Sequence, residues 1–191
     1  TETIAHHIPM TVQSVSHNSI MRSTVDTYLV NGVNAKVEQN VLVALTATVG
    51  LGTQAFDTDL RTTIRKAITK AQIAGAAIGS VPTGVLISAA DAETLDLEQL
   101  TNLVLAPGEA PAQIGGIWRT PLVVSANLPA GFAYVGDLRL INLFVSSPVK
   151  VMTGWINDQF TKNALTVLAE TEAVSTVLVP PAIIKADLTL A

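Results

Sequence analysis

From Ile20 to Leu45 the apolar residues fall at Met21, Val25, Tyr28, Leu29, Val33, Val37, Val41 and Leu45. Steps of three, four and five keep one face of a helix apolar. At ~1.5 Å per residue this stretch is a rod of roughly 40 Å. Ser16 or Ser19 can cap its start. Asn31-Gly32 interrupts it and is where it would bend or divide. Gly50-Leu51-Gly52 closes the first unit of the chain.

Ahead of the rod, Thr3 to Val15 reads as extended, with Ile4, Ile8, Met10, Val12 and Val15 set among polar residues at mostly period-two spacing. His6-His7 is the only histidine pair, and His17 stands alone. A metal site needs further ligands at fixed geometry, and none is near, so exposed polar strand residues are the better reading. Behind the rod, a second helix runs from about Thr58 to Gly75 on the stripe Leu60, Ile64, Ala67, Ile68, Ala71 and Ala74. Asp59 suits its first turn and Gly75 its end. Arg61, Arg65, Lys66 and Lys70 lie on its polar side. They read as a solvated face rather than a phosphate-binding row, because no aromatic or polar partner for bases accompanies them. Gly84 to Ser88 is a short buried strand, and Ser88 caps a helix running through Asp91, Leu95 and Leu97 to Leu100. Ala106 to Pro111 and Gly115-Gly116 form a loop without the spacing of a P-loop.

From Ile117 onward the pattern changes to short apolar and β-branched blocks punctuated by Pro and Gly, which are strands. Asn127-Leu128-Pro129-Ala130-Gly131 is a turn in which Pro fixes φ and Gly accepts a positive φ. Gly136-Asp137 marks the next reversal. Leu138–Val145 and Val149–Trp155 read as a hairpin joined by Ser146-Ser147-Pro148. A final strand pair spans Asn163 to Val179 and the tail to Leu190. Glu170 and Glu172 share one strand face. Paired carboxylates suit glycosidase-type hydrolysis, but no acid partner across a cleft is evident.

Composition narrows the function classes. Hydrophobic residues are 49% and charged residues 14%, the latter well below the ~25% of ordinary soluble domains. Mean hydropathy is +0.45, yet no apolar run reaches the ~20 residues that span a bilayer. The apolar excess therefore points to a large subunit interface rather than a membrane, since obligate interfaces resemble a core cut in half. A net charge of −4 and 4% aromatics argue against a basic, aromatic-lined nucleic-acid groove. With no cysteine, disulfides, thiolate metal sites and a Cys nucleophile are excluded. No signal peptide is evident at the N-terminus, and the start at Thr1 without Met reads as processed or cut down.

The order of phrases in the last third resembles the major capsid proteins of tailed bacteriophages, which have the Hong Kong 97 type of fold. Trp118-Arg119-Thr120-Pro121-Leu122-Val123-Val124-Ser125 is followed by the Pro129–Gly131 turn and then by Val135-Gly136-Asp137. Phe160-Thr161-Lys162-Asn163 and Val179-Pro180-Pro181-Ala182-Ile183-Ile184 complete the series in the family's order. The strand, capped long helix and Pro82-Thr83-Gly84 strand upstream extend the resemblance over most of the chain.

That resemblance implies an α+β fold of two lobes. A peripheral domain combines residues 1–50 (first strand and spine helix) with the closing strands 156–191, and an axial domain occupies 51–155. It implies a structural, non-enzymatic subunit that self-assembles, through hexamers and pentamers, into an icosahedral virion shell around double-stranded DNA held without sequence specificity. Assembly would take place in the cytoplasm of a bacterial host. Other implied partners are a scaffolding segment or protein, a maturation protease and a portal. No cofactor, metal or membrane is implied. The family's N-terminal arm and extended loop would precede Thr1. In the family's type member an asparagine at the start of the last long strand is joined to a neighbour's lysine, assisted by a glutamate further along. Asn163 and Glu170 match those positions, and Asn163 also reads as an ordinary strand-start residue. An encapsulin-like bacterial compartment shell is the alternative on the same fold. A small carboxylate-dependent hydrolase using Glu170 and Glu172 is the alternative from another class.

Overall fold

The computed structural model describes residues 2–17, 19–102, 116–118 and 120–189. In chain order the elements are β1 (Glu2–Thr11), α1 (Val12–His17), α2 (Ser19–Ala47), β2 (Gly52–Gln54), α3 (Leu60–Ala76), β3 (Gly84–Ser88), α4 (Ala89–Asn102), β4 (Gly116–Ile117), β5 (Thr120–Ser125), β6 (Phe132–Gly136), β7 (Ile141–Gly154), β8 (Ala164–Val177) and β9 (Ile183–Asp187). They form two compact units. The first comprises residues 1–44 and 143–176, the second 45–142 and 177–191.

The first unit is the long helix laid on a three-stranded sheet of order β1-β8-β7. β1 runs antiparallel to β8, from Glu2 opposite Ala173 to Thr11 opposite Ala164. Period-two alternation gives the sheet an inner face of Ile4, Ile8 and Met10 on β1 and Val167, Ala169 and Ala173 on β8. These pack with Val25, Leu29, Val33 and Val37 of α2. The two alanines leave room for the helix. Spacing by four drifts about 40° per step, so the buried line winds slowly around α2. α2 is continuous through Asn31-Gly32, where a bend or break was expected. Gly32 serves packing instead. A Cβ there would lie 2.2 Å from His6 Nδ1, so the glycine is what lets the His6 ring sit against the helix.

β7 corrects the expected hairpin at Ser146-Ser147-Pro148. It is one 14-residue strand that passes straight through these residues. Proline is tolerated there because β7 is an edge strand, where a missing N–H breaks no ladder bond.

The second unit is a six-stranded sheet of order β2-β9-β6-β3-β5-β4. β3 is central and all five of its residues are buried. It pairs parallel to β5 and antiparallel to β6, and β6 pairs antiparallel to β9. α3 packs Leu60, Ile64, Ala67, Ile68 and Ala71 into a core shared with Val85, Ile87, Leu95, Val135 and Ile184. Asp59 is its N-cap, accepting from Thr62 N at 2.5 Å. Ser88 caps α4 as expected, its Oγ accepting from Asp91 N at 3.1 Å. Asp91 in turn accepts from Gly131 N at 2.8 Å, which ties the Pro129–Gly131 turn to the helix start. Gly131 has φ +93°, the conformation expected of it.

The two units divide at 44/45, 142/143 and 176/177, and the resemblance implies domains meeting at 50/51 and 155/156. β7 belongs to the first unit because it pairs with β8, and β9 belongs to the second because it pairs with β2 and β6. Local patterning marks strands but not their partners, and partners decide the unit.

Candidate interaction surface

Neither group of residues that the sequence offered for chemistry forms a reactive centre within one chain. Asn163 sits at the end of the β7–β8 connection with φ +52°. Its carbonyl accepts from Val12 N at 3.0 Å. Asparagine tolerates this left-handed conformation better than other side-chain-bearing residues, so the backbone alone accounts for its presence. Glu170 lies seven residues along β8, about 23 Å away at strand rise. The two cannot meet at one bond within a chain.

Glu170 and Glu172 do share a strand face, the one turned away from α2. Their register partners on β1 are Ala5 and Thr3, so β1 brings no acid opposite them. Two cavities lie in this unit. One of about 140 Å³ is lined by Met10, Val15, Arg22, Asp26, Val151 and Val167, among others. An open groove of about 450 Å³ is lined by Glu2, Ile4, Val43, Leu143, Val174 and their neighbours. Neither is lined by Glu170 or Glu172.

His6 and His7 point to opposite faces of β1, as strand alternation requires. His7 is exposed. His6 is half-buried, with its ring centroid 5.6 Å from that of Tyr28 and its Nδ1 buried without a hydrogen-bond partner. This corrects the reading of His6 as an exposed strand residue. Among the described residues no group of three or more His, Cys, Asp or Glu could hold a metal ion. No helix among them is long and apolar enough to cross a membrane.

The basic row on α3 is largely occupied. Lys66 pairs with Asp57, and Lys70 Nζ donates to Thr53 O at 2.9 Å. Arg61 and Arg65 stand 6.0 and 5.8 Å from the ring of Trp118. The row thus has an aromatic neighbour that the sequence did not reveal, supplied by the segment after β4. Acids also surround it: Asp57, Asp59 and Glu98 lie close. The Glu98 carboxyl is raised above its ordinary range, first by burial and then by Asp59.

One buried charge has a structural role. Asp137 is 4% exposed. Arg139 holds it through Nε and Nη2, each at 2.8 Å, and Ser80 Oγ donates to it at 2.8 Å. These bonds, led by Arg139, hold its carboxyl well below the usual carboxylate range. The cluster pins the loop before β3 to the reversal at Gly136-Asp137.

Both units expose apolar side chains, and four of the five exposed aromatic ones among the described residues lie in the first: Tyr28, Phe144, Trp155 and Phe160. At the β7–β8 connection Trp155 is 63% and Phe160 73% exposed. Their rings stack edge to face with centroids 5.6 Å apart. Ile156, Met152 and Val151 lie exposed beside them. The sequence places Trp155 at a strand end and Phe160 in the Phe160–Asn163 phrase, and assigns neither to a surface. The available signal was scarcity: the chain has two tryptophans, and both are more than half exposed.

No protein-family model matches the chain, and no curated protein matches it. Solved structures do match. The capsid of an empty GTA particle superposes with a TM-score of 0.72 at 11% identity, over 98% of this chain and 73% of that one. A structure from Gordonia phage Cozz gives 0.66 at 14% identity, over 100% and 71%. The SrpI encapsulin complex from Synechococcus elongatus gives 0.66 at 13%, over 99% and 75%. At such identities the likeness is one of fold, and it spans nearly every residue here. The chain has the Hong Kong 97-type capsid fold, in a mixed helix-and-sheet form.

Proposed function

We propose that this chain is the structural subunit of an icosahedral shell, a phage or prophage capsid that encloses double-stranded DNA. The observation that carries the reading is the fold match over almost the whole chain to the GTA capsid. Two physical features support it. Charge is low, and exposed aromatic and aliphatic side chains concentrate in the first unit, as repeated subunit contacts require. A net charge of −4 also suits enclosing DNA without gripping it. Hexamers and pentamers of the chain, a scaffolding element, a maturation protease and a portal are the partners this reading entails. The virion is its destination, after assembly in the host cytoplasm. The 45–142 unit would be the axial domain and the unit holding α2 the peripheral one. Cross-linking through Asn163 and Glu170 would draw each from a different copy, given their separation along β8.

Gradient-purified material examined by negative-stain microscopy tests this. Closed particles or capsomer rings are the expected result, and a uniform field of single subunits overturns it. The encapsulin match favours a second reading, a compartment that stores protein. Particles that protect DNA from nuclease support the capsid, and particles that copurify with a stoichiometric cargo protein support the compartment.

A further inference from the structure

We propose that Arg61, Arg65 and Trp118 form a contact site for single-stranded nucleic acid, with a base stacked on the indole and its phosphate held by the guanidinium pair. All three residues belong to the second unit, so the inference goes beyond the shell-subunit reading and does not depend on it.

The backbone holds Trp118 out under strain. Ile117 of β4 pairs with Thr120 of β5, so two residues make the hairpin turn. Turns of that length ask for positive φ and take Asn or Gly by preference. Trp118 meets the requirement with φ +51°, a conformation that bulky side chains tolerate poorly. The ring is left 54% exposed, so burial does not account for the strain. Strained residues cluster where ligands are held. The guanidinium carbons of Arg61 and Arg65 stand 6.0 and 5.8 Å from the indole centroid. Both come from α3, four residues apart, and so reach the ring from one side.

Charge and shape select the occupant. Among the described residues neither arginine is ion-paired. Arg65 Nη1 donates to Thr69 Oγ1 at 3.1 Å. Of the nearby acids, Asp57 is held by Lys66, and Asp59 accepts from Thr62 N. Glu98 is within reach of Arg61, and burial and Asp59 push its carboxyl toward the neutral form. An acidic peptide would use the arginines and ignore the indole. An apolar partner would bury the indole and strand the arginines. A nucleotide uses both: guanidinium forks match phosphate oxygens, and a base lies on the ring. Sequence alone left the α3 row without an aromatic, and Trp118 supplies it. Bases inside a duplex are already stacked, so an unpaired strand is the better fit.

Fluorescence anisotropy of a labelled oligothymidylate tests this, with a duplex of equal length and polyglutamate as competitors. The strand should bind saturably, and log K should fall against log salt with a slope of about −1, as one or two phosphate contacts require. Arg61→Gln/Arg65→Gln and Trp118→Asn should each weaken binding at least tenfold. Asparagine accepts positive φ, so Trp118→Asn should keep or raise the urea midpoint while losing the strand. No saturable binding, or variants that bind as wild type, overturns the site. Equal competition by the duplex would mean phosphate contact without stacking, and equal competition by polyglutamate a general anion patch; either overturns it too. A lowered midpoint for Trp118→Asn assigns Trp118 to folding and does the same. None of these results touches the shell reading, which is tested by particle formation.

Discussion

The two units spend their apolar residues differently. The second buries fifteen residues in one cluster around α3 and the central strand β3, with helices and neighbouring strands covering them. The largest cluster described in the first unit has six, between one helix face and one sheet face. Yet Ile20, Tyr28, Phe144, Val145, Met152, Trp155 and Phe160, all of the first unit, stand exposed. One sheet face against one helix is a thin core. The second unit builds the deeper core yet also exposes Val49, Ile73, Val81 and Trp118, while the first exposes Phe144, Trp155 and Phe160 over a thinner one.

Breaking the second unit's core should have the largest effect on stability. Ile87→Ala removes most of a side chain that is 0% exposed in β3 and should cost about 3 kcal/mol, read as a lower urea midpoint. Asp137→Ala comes next. It strands the Ser80 and Thr83 hydroxyls and should cost about 2 kcal/mol. The same carboxylate carries a pH signature. Its folded pKa is depressed, so its contribution is present above the unfolded value of about 4 and is lost as pH falls through the folded value. Wild type should therefore lose more stability than Asp137→Asn between about pH 5 and pH 2, measured by urea titration at each pH.

In the first unit, Gly32→Ala drives a methyl into the His6 ring and should cost about 1–3 kcal/mol. His6→Ala in the same chain should recover part of that loss, which a double-mutant cycle would show. Absence of coupling would mean the helix and strand do not approach as closely as described. The smallest effect on folding is expected for Met152→Ser, within about 0.5 kcal/mol, because Met152 is exposed. A large destabilisation there would show that the first unit already buries this surface within one chain.

Much of this contrast was legible in the sequence, though not the part that concerns partners. The i, i+4 line from Val25 to Val37, the cap at Ser88 and the Pro129–Gly131 turn are local signals, and local physics sets them; Asp59, read as part of the first turn, is instead the N-cap of α3. Ser146-Ser147-Pro148 misled because a proline breaks an interior strand but not an edge, and edge status depends on sheet order. His6 was misread for the same reason: alternation places it inward only once the buried face of β1 is known. Trp118 came to stand near Arg61 and Arg65 through tertiary folding, at more than fifty residues' separation in sequence. Nothing local marks Trp155 or Phe160 as exposed, because exposure depends on where β7 ends relative to the rest of the unit. The cross-link positions Asn163 and Glu170 came from resemblance, and a single chain supplies a backbone reason for the first and no nearby partner for the second.

The most direct measurement is the mass of the purified chain by light scattering across a concentration series. A shell subunit should reach capsomer or particle mass as concentration rises. A constant mass near 20.0 kDa at every concentration would contradict self-assembly.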